Sequence, residues 1–319
     1  MTALGQSQTS AALVRPKQRS FGLERSQKLW GLIFLSPWII GFIIFTFVPM
    51  VTSLVLSFTD YDLLNPNEIN FIGFSNYNRM FSDPQVGAAS FSTLRFAALA
   101  LPVGIILPLL MAALLTSKRL WGRRLFTTLF YMPYMVPVVS AVFIWQGFLN
   151  QETGWLNRIL GNIGIQGPNW INSVEWIYPA MVIIGICGLG NYMLTTIAGM
   201  QGIPTELYEA ARVDGAGPVT IFRKITIPMV SPVIFYNLIL SVIGIFRFFD
   251  IPYILGRGQG QPGGATMFYN VYLYKTAFTY QDMGYGSTLA WALFVVAMLV
   301  TGFLFVTSRR WVYYSGERN

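Results

Sequence analysis

Six stretches of the chain are nearly unbroken runs of apolar residues, separated by polar clusters rich in Gly, Pro, Asn and Arg. They cover Leu29–Ser57, Phe91–Thr116, Leu125–Phe148, Trp176–Met200, Met229–Leu255 and Ser287–Thr307. Each reaches the roughly 20 residues that a helix needs to cross a hydrocarbon core about 30 Å thick. The pattern predicts an all-α polytopic membrane protein with six transmembrane helices. No repeat unit is visible, so one membrane domain spans residues 29–308. It is flanked by a polar, disordered tail (residues 1–28) and a short C-terminal tail (residues 309–319). Four spans contain two prolines each: Pro37 and Pro49, Pro102 and Pro108, Pro133 and Pro137, Pro232 and Pro252. Membrane helices tolerate these as kinks, because neighbouring groups satisfy the freed carbonyls.

Composition agrees with the pattern. The chain is 54% hydrophobic and only 11% charged, with a mean hydropathy of +0.53, whereas soluble domains carry roughly 25% charged residues. The charge is placed unevenly. Of the 21 Lys and Arg residues, one set lies in the N-terminal tail (Arg15, Lys17, Arg19, Arg25, Lys28) and between the second and third spans (Lys118, Arg119, Arg123, Arg124). The same set continues between the fourth and fifth spans (Arg212, Arg223, Lys224) and at the C-terminus (Arg309, Arg310, Arg318). The alternate connections hold only Arg79, Arg158, Arg257 and Lys275. By the positive-inside rule both termini are cytoplasmic, and the net charge of +8 reports topology, with no indication of nucleic-acid binding. The first run is too long for a signal-peptide core and lacks a small-residue cleavage site, so it reads as an uncleaved anchor. In the outside connections, Tyr61, Tyr77, Trp155 and Trp170 read as an interfacial belt.

One cysteine and no histidine exclude an internal disulfide and argue against a zinc or haem centre. Cys187, in an apolar run, reads as a buried structural thiol. The chain has no Gly-x4-Gly-Lys-Ser/Thr loop, so any ATP hydrolysis belongs to another chain.

The inside connection between the fourth and fifth spans (residues 201–228) carries the most information. Thr205 is placed to cap a helix and Glu206 to favour its first turn. Leu207, Ala210 and Ala211 recur at helical spacing. Gly215 suits a left-handed helix end and Gly217-Pro218 a restart, with Pro228 leading into the fifth span. The expectation is two short surface helices joined at a Gly elbow.

Glu209-Ala210-Ala211, Gly215 and Ile225-Thr226-Ile227-Pro228 together resemble the signature of permease subunits of bacterial binding-protein-dependent ABC importers, with Ile227 where Leu is usual. Ile203-Pro204, Leu207-Tyr208 and Asp214-Gly215-Ala216 extend the likeness to the carbohydrate-uptake branch of maltose and glycerol-phosphate type. Further likenesses fall at Ser36-Pro37, Val48-Pro49, Phe71-Ile72-Gly73-Phe74, Asn76-Tyr77, Gly154, Asn157, Phe249-Asp250, Pro262-Gly263-Gly264-Ala265-Thr266 and Gly284-Tyr285-Gly286. The stretch Gly256–Gly264 departs from the usual Thr-x-Gly-Gly-Pro order. The resemblance implies a type I ABC importer permease fold with a cytoplasmic coupling helix, in a bacterial plasma membrane. It implies pairing with a second, different but homologous permease, two ATP-binding subunits that hold ATP and Mg, and an external solute-binding protein. This chain would hold no cofactor itself. Glu209, Ala210, Ala211, Asp214, Gly215, Ile225 and Pro228 would then make the ATPase coupling site.

Charges within spans are costly and point to function. Arg95 lies near an outer end and reads as snorkelling. Arg247 and Asp250 stand three apart, so on a continuous helix they would share a face and either form a structural ion pair or line the translocation path. By resemblance, Asn191, Tyr192, Phe246 and Arg247 would line the cargo route, which Asp250 joins through its spacing from Arg247, and an Arg there admits an anionic sugar derivative. An ion-coupled secondary transporter using Arg247 and Asp250 is the rival reading. A membrane enzyme is a weaker one, for want of a catalytic cluster.

Overall fold

The computed structural model describes residues 21–117 and 120–313. The polar tail up to residue 20, the end of the C-terminal tail from residue 314, and Arg15, Lys17, Arg19, Lys118, Arg119 and Arg318 lie outside the described residues. The chain divides into two compact units, residues 1–53 and 54–319. In the first, helix begins by Phe21 rather than Leu29, and it contains a π-turn at Ile43–Phe47 ahead of Pro49.

Among the described residues the regular structure is helical. Five helices are long and apolar enough to cross a membrane: Lys28–Leu56, Pro84–Thr116, Ile177–Gln201, Pro218–Leu255 and Met283–Ser308. The sixth expected span, the third in order, is not one rod. It is a pair, Arg123–Met135 and Val138–Phe148, bent by 104°. Pro133 and Pro137 supply the reason. Each lacks an amide hydrogen, and Pro137 forces Val136 into an extended conformation (φ −75°, ψ 129°), which ends the helix ahead of it. The expected kinks at Pro102, Pro108 and Pro232 stay inside continuous helix.

The second unit has three apolar clusters. Phe268 centres one, with Phe96, Phe248 and Tyr178 around it at ring-centroid distances of 5.4, 5.8 and 6.4 Å. Met193, Ile197, Met200, Ile203 and Val230 form another, at the opposite ends of the fourth and fifth spans. Tyr269, Tyr272, Tyr285 and Leu289 belong to the third. Lipid supplies no hydrophobic drive between helices, so close approach and polar contacts hold them. Asn237 illustrates this. It is buried on the fifth span; its Nδ2 donates to Thr196 Oγ1 (3.1 Å) and the Tyr192 carbonyl (3.3 Å), and its Oδ1 accepts from Thr195 (3.0 Å). A Cβ at Gly199 would come within 2.7 Å of Val233, so glycine there lets the two backbones approach.

Two of the four belt aromatics have structural work instead. Trp170 is buried and donates from Nε1 to Asn157 Oδ1 (2.7 Å), and the Tyr77 hydroxyl meets Ser57 Oγ (2.9 Å). The second span starts earlier than the apolar pattern indicates, because Asp83 caps it by accepting from the Gln85 amide (2.9 Å), with Pro84 at the first helical position. The same carboxylate accepts the hydroxyls of Tyr272 (2.6 Å) and Tyr285 (2.8 Å), so one side chain joins three helices. Beside it, Arg79 pairs with Asp282 (2.7 Å) and lies 3.9 Å over the Tyr285 ring. Burial pushes the Asp83 carboxyl up. The bonds from Tyr272, the Gln85 amide and Tyr285, with the Arg79 charge, outweigh that and hold it below its ordinary value. A depressed carboxyl adds stability that is complete above its unfolded pKa and lost as pH falls through the native one. Thermal unfolding followed against pH should therefore show a stability loss below pH ~4 that Asp83→Asn diminishes. Asp83→Ala should cost about 2–3 kcal/mol at neutral pH, as a cap and two charge-assisted bonds are lost.

Candidate functional site

The connection after the fourth span forms a helix at Thr205–Val213. Thr205 is its first residue, and the capping position falls on Pro204, so no side-chain cap forms. The far end is as the sequence implies. Gly215 is left-handed (φ +77°), its amide donates to the Arg212 carbonyl (3.0 Å), and the Ala216 amide donates to the Ala211 carbonyl (2.9 Å). This paired closure satisfies two end carbonyls and requires a positive φ, which favours glycine. The expected second surface helix is instead the start of the fifth span. Helix runs from Pro218 through a π-turn at Phe222–Thr226 into Ile227–Phe246, and Pro228 lies early in that last segment.

The short helix is pinned from beneath. The Tyr208 hydroxyl meets Thr226 Oγ1 (3.2 Å), and Tyr208, Phe222 and Ile225 pack on the cluster around Met200 and Val230. Its other side is open. Glu209, Ala210, Asp214 and Gly215 are exposed; Ala211, Ile225 and Pro228 are half-buried. Leu207 and Val213 are 42% and 88% exposed, and Val219 beyond the elbow is 71% exposed. Sequence reasoning placed Leu207 on one side with Ala210 and Ala211 but missed Val213 and Val219, and it could not tell the packed side of so short a helix from the open one.

The cargo-route residues separate. Tyr192, with Phe96, Gly104, Ser241 and Phe248, lines a cavity of about 190 Å³ between the second, fourth and fifth spans. Ser241 Oγ is buried, with the Tyr192 hydroxyl as its polar neighbour. Asn191, Phe246, Arg247 and Asp250 do not line that cavity. The fifth span breaks at Arg247 (φ −99°, ψ 3°) and resumes at Asp250. With no continuous helix between them, the two exposed side chains share no face, and no ion pair joins them. Phe248 turns into the aromatic cluster, 4.5 Å from Phe96. Arg95 lies between two rings, 5.5 Å from Phe91 and 5.3 Å from Tyr178. Cys187 is half-buried, not buried, and accepts from Trp145 Nε1 (3.2 Å).

Residues 104–314 match the family of binding-protein-dependent transport system inner membrane components. The chain belongs to that family. Over 296 residues it is 36% identical to "Probable ABC transporter permease protein YesP" of Bacillus subtilis, covering 92% of this chain and 94% of that one. It is also 32% identical over 278 residues to the arabinooligosaccharides transport system permease protein AraP of the same organism, covering 86% and 87%. In structure it is similar to a chain of a bacterial ABC transporter involved in import of the acidic polysaccharide alginate, with a TM-score of 0.76 and 25% identity over 91% of this chain and 97% of that one. The chain is thus an ABC importer permease subunit of the carbohydrate branch, a multi-pass membrane protein with the type I permease fold.

Gly215 tests the geometry of this permease's loop. A Cβ there would meet open space, so Gly215→Ala carries only the left-handed backbone cost of about 1–2 kcal/mol. Hydrogen–deuterium exchange should show faster exchange at residues 214–216, with the midpoint of global unfolding little changed.

Proposed function

We propose that this permease couples to an ATP-binding subunit through residues 201–228 and forms half of the route for a saccharide. A second, homologous permease completes the route, two ATPase subunits dock on the inside, and an external solute-binding protein delivers cargo. Both termini lie in the cytoplasm of a bacterial plasma membrane. The chain itself holds no cofactor; ATP and Mg belong to the ATPases.

The observation that carries the coupling reading is the exposure of three apolar side chains, Leu207, Val213 and Val219, on a loop that also carries exposed charges. Leu207, Ala210 and Asp214 stand at i, i+3 and i+7, so they present one face, with Val213 at its edge. Exposed apolar groups rimmed by charge mark a protein-docking surface. Glu209 and Arg212 supply that rim. The Tyr208–Thr226 contact and the packing of Phe222 and Ile225 tie this face to the fifth span, so force applied to the helix reaches that span as rigid-body motion. On the cargo side, the Tyr192 and Ser241 hydroxyls offer polar groups in an otherwise apolar cavity, as a ligand site needs. Relatives named for arabinooligosaccharides and for alginate support a saccharide cargo, acidic ones included. Membership of the binding-protein-dependent family favours this reading over an ion-coupled transporter using Arg247 and Asp250.

Co-purification with the ATP-binding subunit, followed by binding-protein-stimulated hydrolysis, checks the coupling. Val213→Asp places a charge where the chain itself packs nothing, so its own folding should be unaffected. Recruitment of the ATPase should fall by at least about tenfold, a loss of ~1.4 kcal/mol. Glu209→Ala should lower stimulated hydrolysis more than assembly. If both variants recruit and stimulate as the unmodified permease does, the loop is not the coupling surface.

A further inference from the structure

At the far ends of the fourth and fifth spans from the 201–228 loop lies a cleft of about 550 Å³. Its polar lining is Gln146, Asn150, Gln151, Glu152, Asn169, Asn172 and Arg257, and its apolar floor includes Leu149, Ile254 and Leu255. Some of the amides are spent on the fold. Asn150 Oδ1 accepts from the amides of Glu152 and Thr153, and Asn169 Oδ1 from the Asn172 amide. The side chains of Gln146, Gln151, Glu152, Asn172 and Arg257 make no hydrogen bond or ion pair with the described residues.

Arg257 is the unusual member. It occupies the left-handed residue of a helix-ending closure (φ +53°), with its amide donating to the Ile254 carbonyl (3.2 Å) and the Gly258 amide donating to the Tyr253 carbonyl (2.8 Å). Glycine is the default there, because a side chain raises the energy of that conformation. Here glycine stands on both sides, at Gly256 and Gly258, and the strained position itself carries an arginine. A non-glycine residue held in this region points to function when its side chain faces a site. This guanidinium lines a polar cleft and has no hydrogen-bond or ion-pair partner among the described residues.

We infer that the cleft is an outer subsite for an acidic saccharide, with Arg257 taking a carboxylate and the amides and Glu152 taking ring hydroxyls. A guanidinium matches a carboxylate through two parallel bonds, and Glu152 accepts hydroxyl protons. The subsite lies before the transmembrane cavity at Tyr192 on an inward route. This rests on the importer function proposed above and adds to it the class of cargo and the residue that selects it.

The test uses the full transporter in lipid nanodiscs, without its binding protein. The probes are a trisaccharide of uronic acids and its carboxyl-reduced neutral counterpart, each titrated calorimetrically. The unmodified complex should bind the charged probe more tightly than the neutral one. Arg257→Gly relieves the backbone strain while removing the guanidinium, so the protein should remain folded. It should weaken the charged probe by about tenfold and leave the neutral probe unchanged. Asn172→Ala, across the cleft from the strained turn, should weaken both probes by a few-fold. If the unmodified complex binds neither probe, or Arg257→Gly changes binding-protein-stimulated hydrolysis and not direct binding, the subsite is refuted and the cleft is a docking face. Failure of the importer reading has a different signature, the absence of ATP-dependent uptake by the complete unmodified complex.

Discussion

In a hydrocarbon environment no water is at hand to satisfy a broken helix, so each interruption of a span must be answered by other groups of the chain or left facing a cavity. That constraint organises this permease. Where helices run straight they pack through small contacts, such as Gly199 against Val233, and through the fully bonded Asn237. The third span breaks at Pro133 and Pro137, and the fifth breaks between Phe246 and Asp250, beside the aromatic cluster. The connection between the fourth and fifth spans closes one end of each and leaves an apolar face uncovered.

The break at Arg247 changes the chemistry available to the protein. As neighbours on a helix face, Arg247 and Asp250 would have neutralised each other within the membrane. Apart and exposed, they leave the polar lining of the cavity to the hydroxyls of Tyr192 and Ser241. Such groups suit a hydroxyl-rich cargo, which exchanges water hydrogen bonds for protein ones, better than they suit a migrating ion. The charged groups that remain organised lie at span ends. Asp83 ties three helices together, and Arg79 pairs with Asp282.

Much was legible in the chain before any coordinates. Five of six spans followed from unbroken apolar runs, since a bilayer imposes a fixed minimum length. The Gly215 elbow followed because a left-handed residue leaves little choice of side chain, and the class of protein followed from a motif spread over residues 203–228. What escaped were features needing partners distant in sequence. Asp83 reads as an ordinary loop acid until Tyr272 and Tyr285 arrive from helices nearly two hundred residues on. Trp170 reads as a belt residue until Asn157 takes its indole proton.

The sequence by itself determined length, polarity and local backbone preference. Those properties settle a membrane protein with several spans, a glycine-closed loop helix and an importer permease family. Tertiary structure alone decided which side of the loop helix is pinned and which is open, because both carry apolar residues and only packing tells Tyr208 from Leu207. It also decided that two prolines four residues apart become a 104° bend, whereas those in the second span remain within continuous helix. A proline removes a hydrogen bond wherever it stands; whether the helix then bends depends on what the surrounding helices offer in its place.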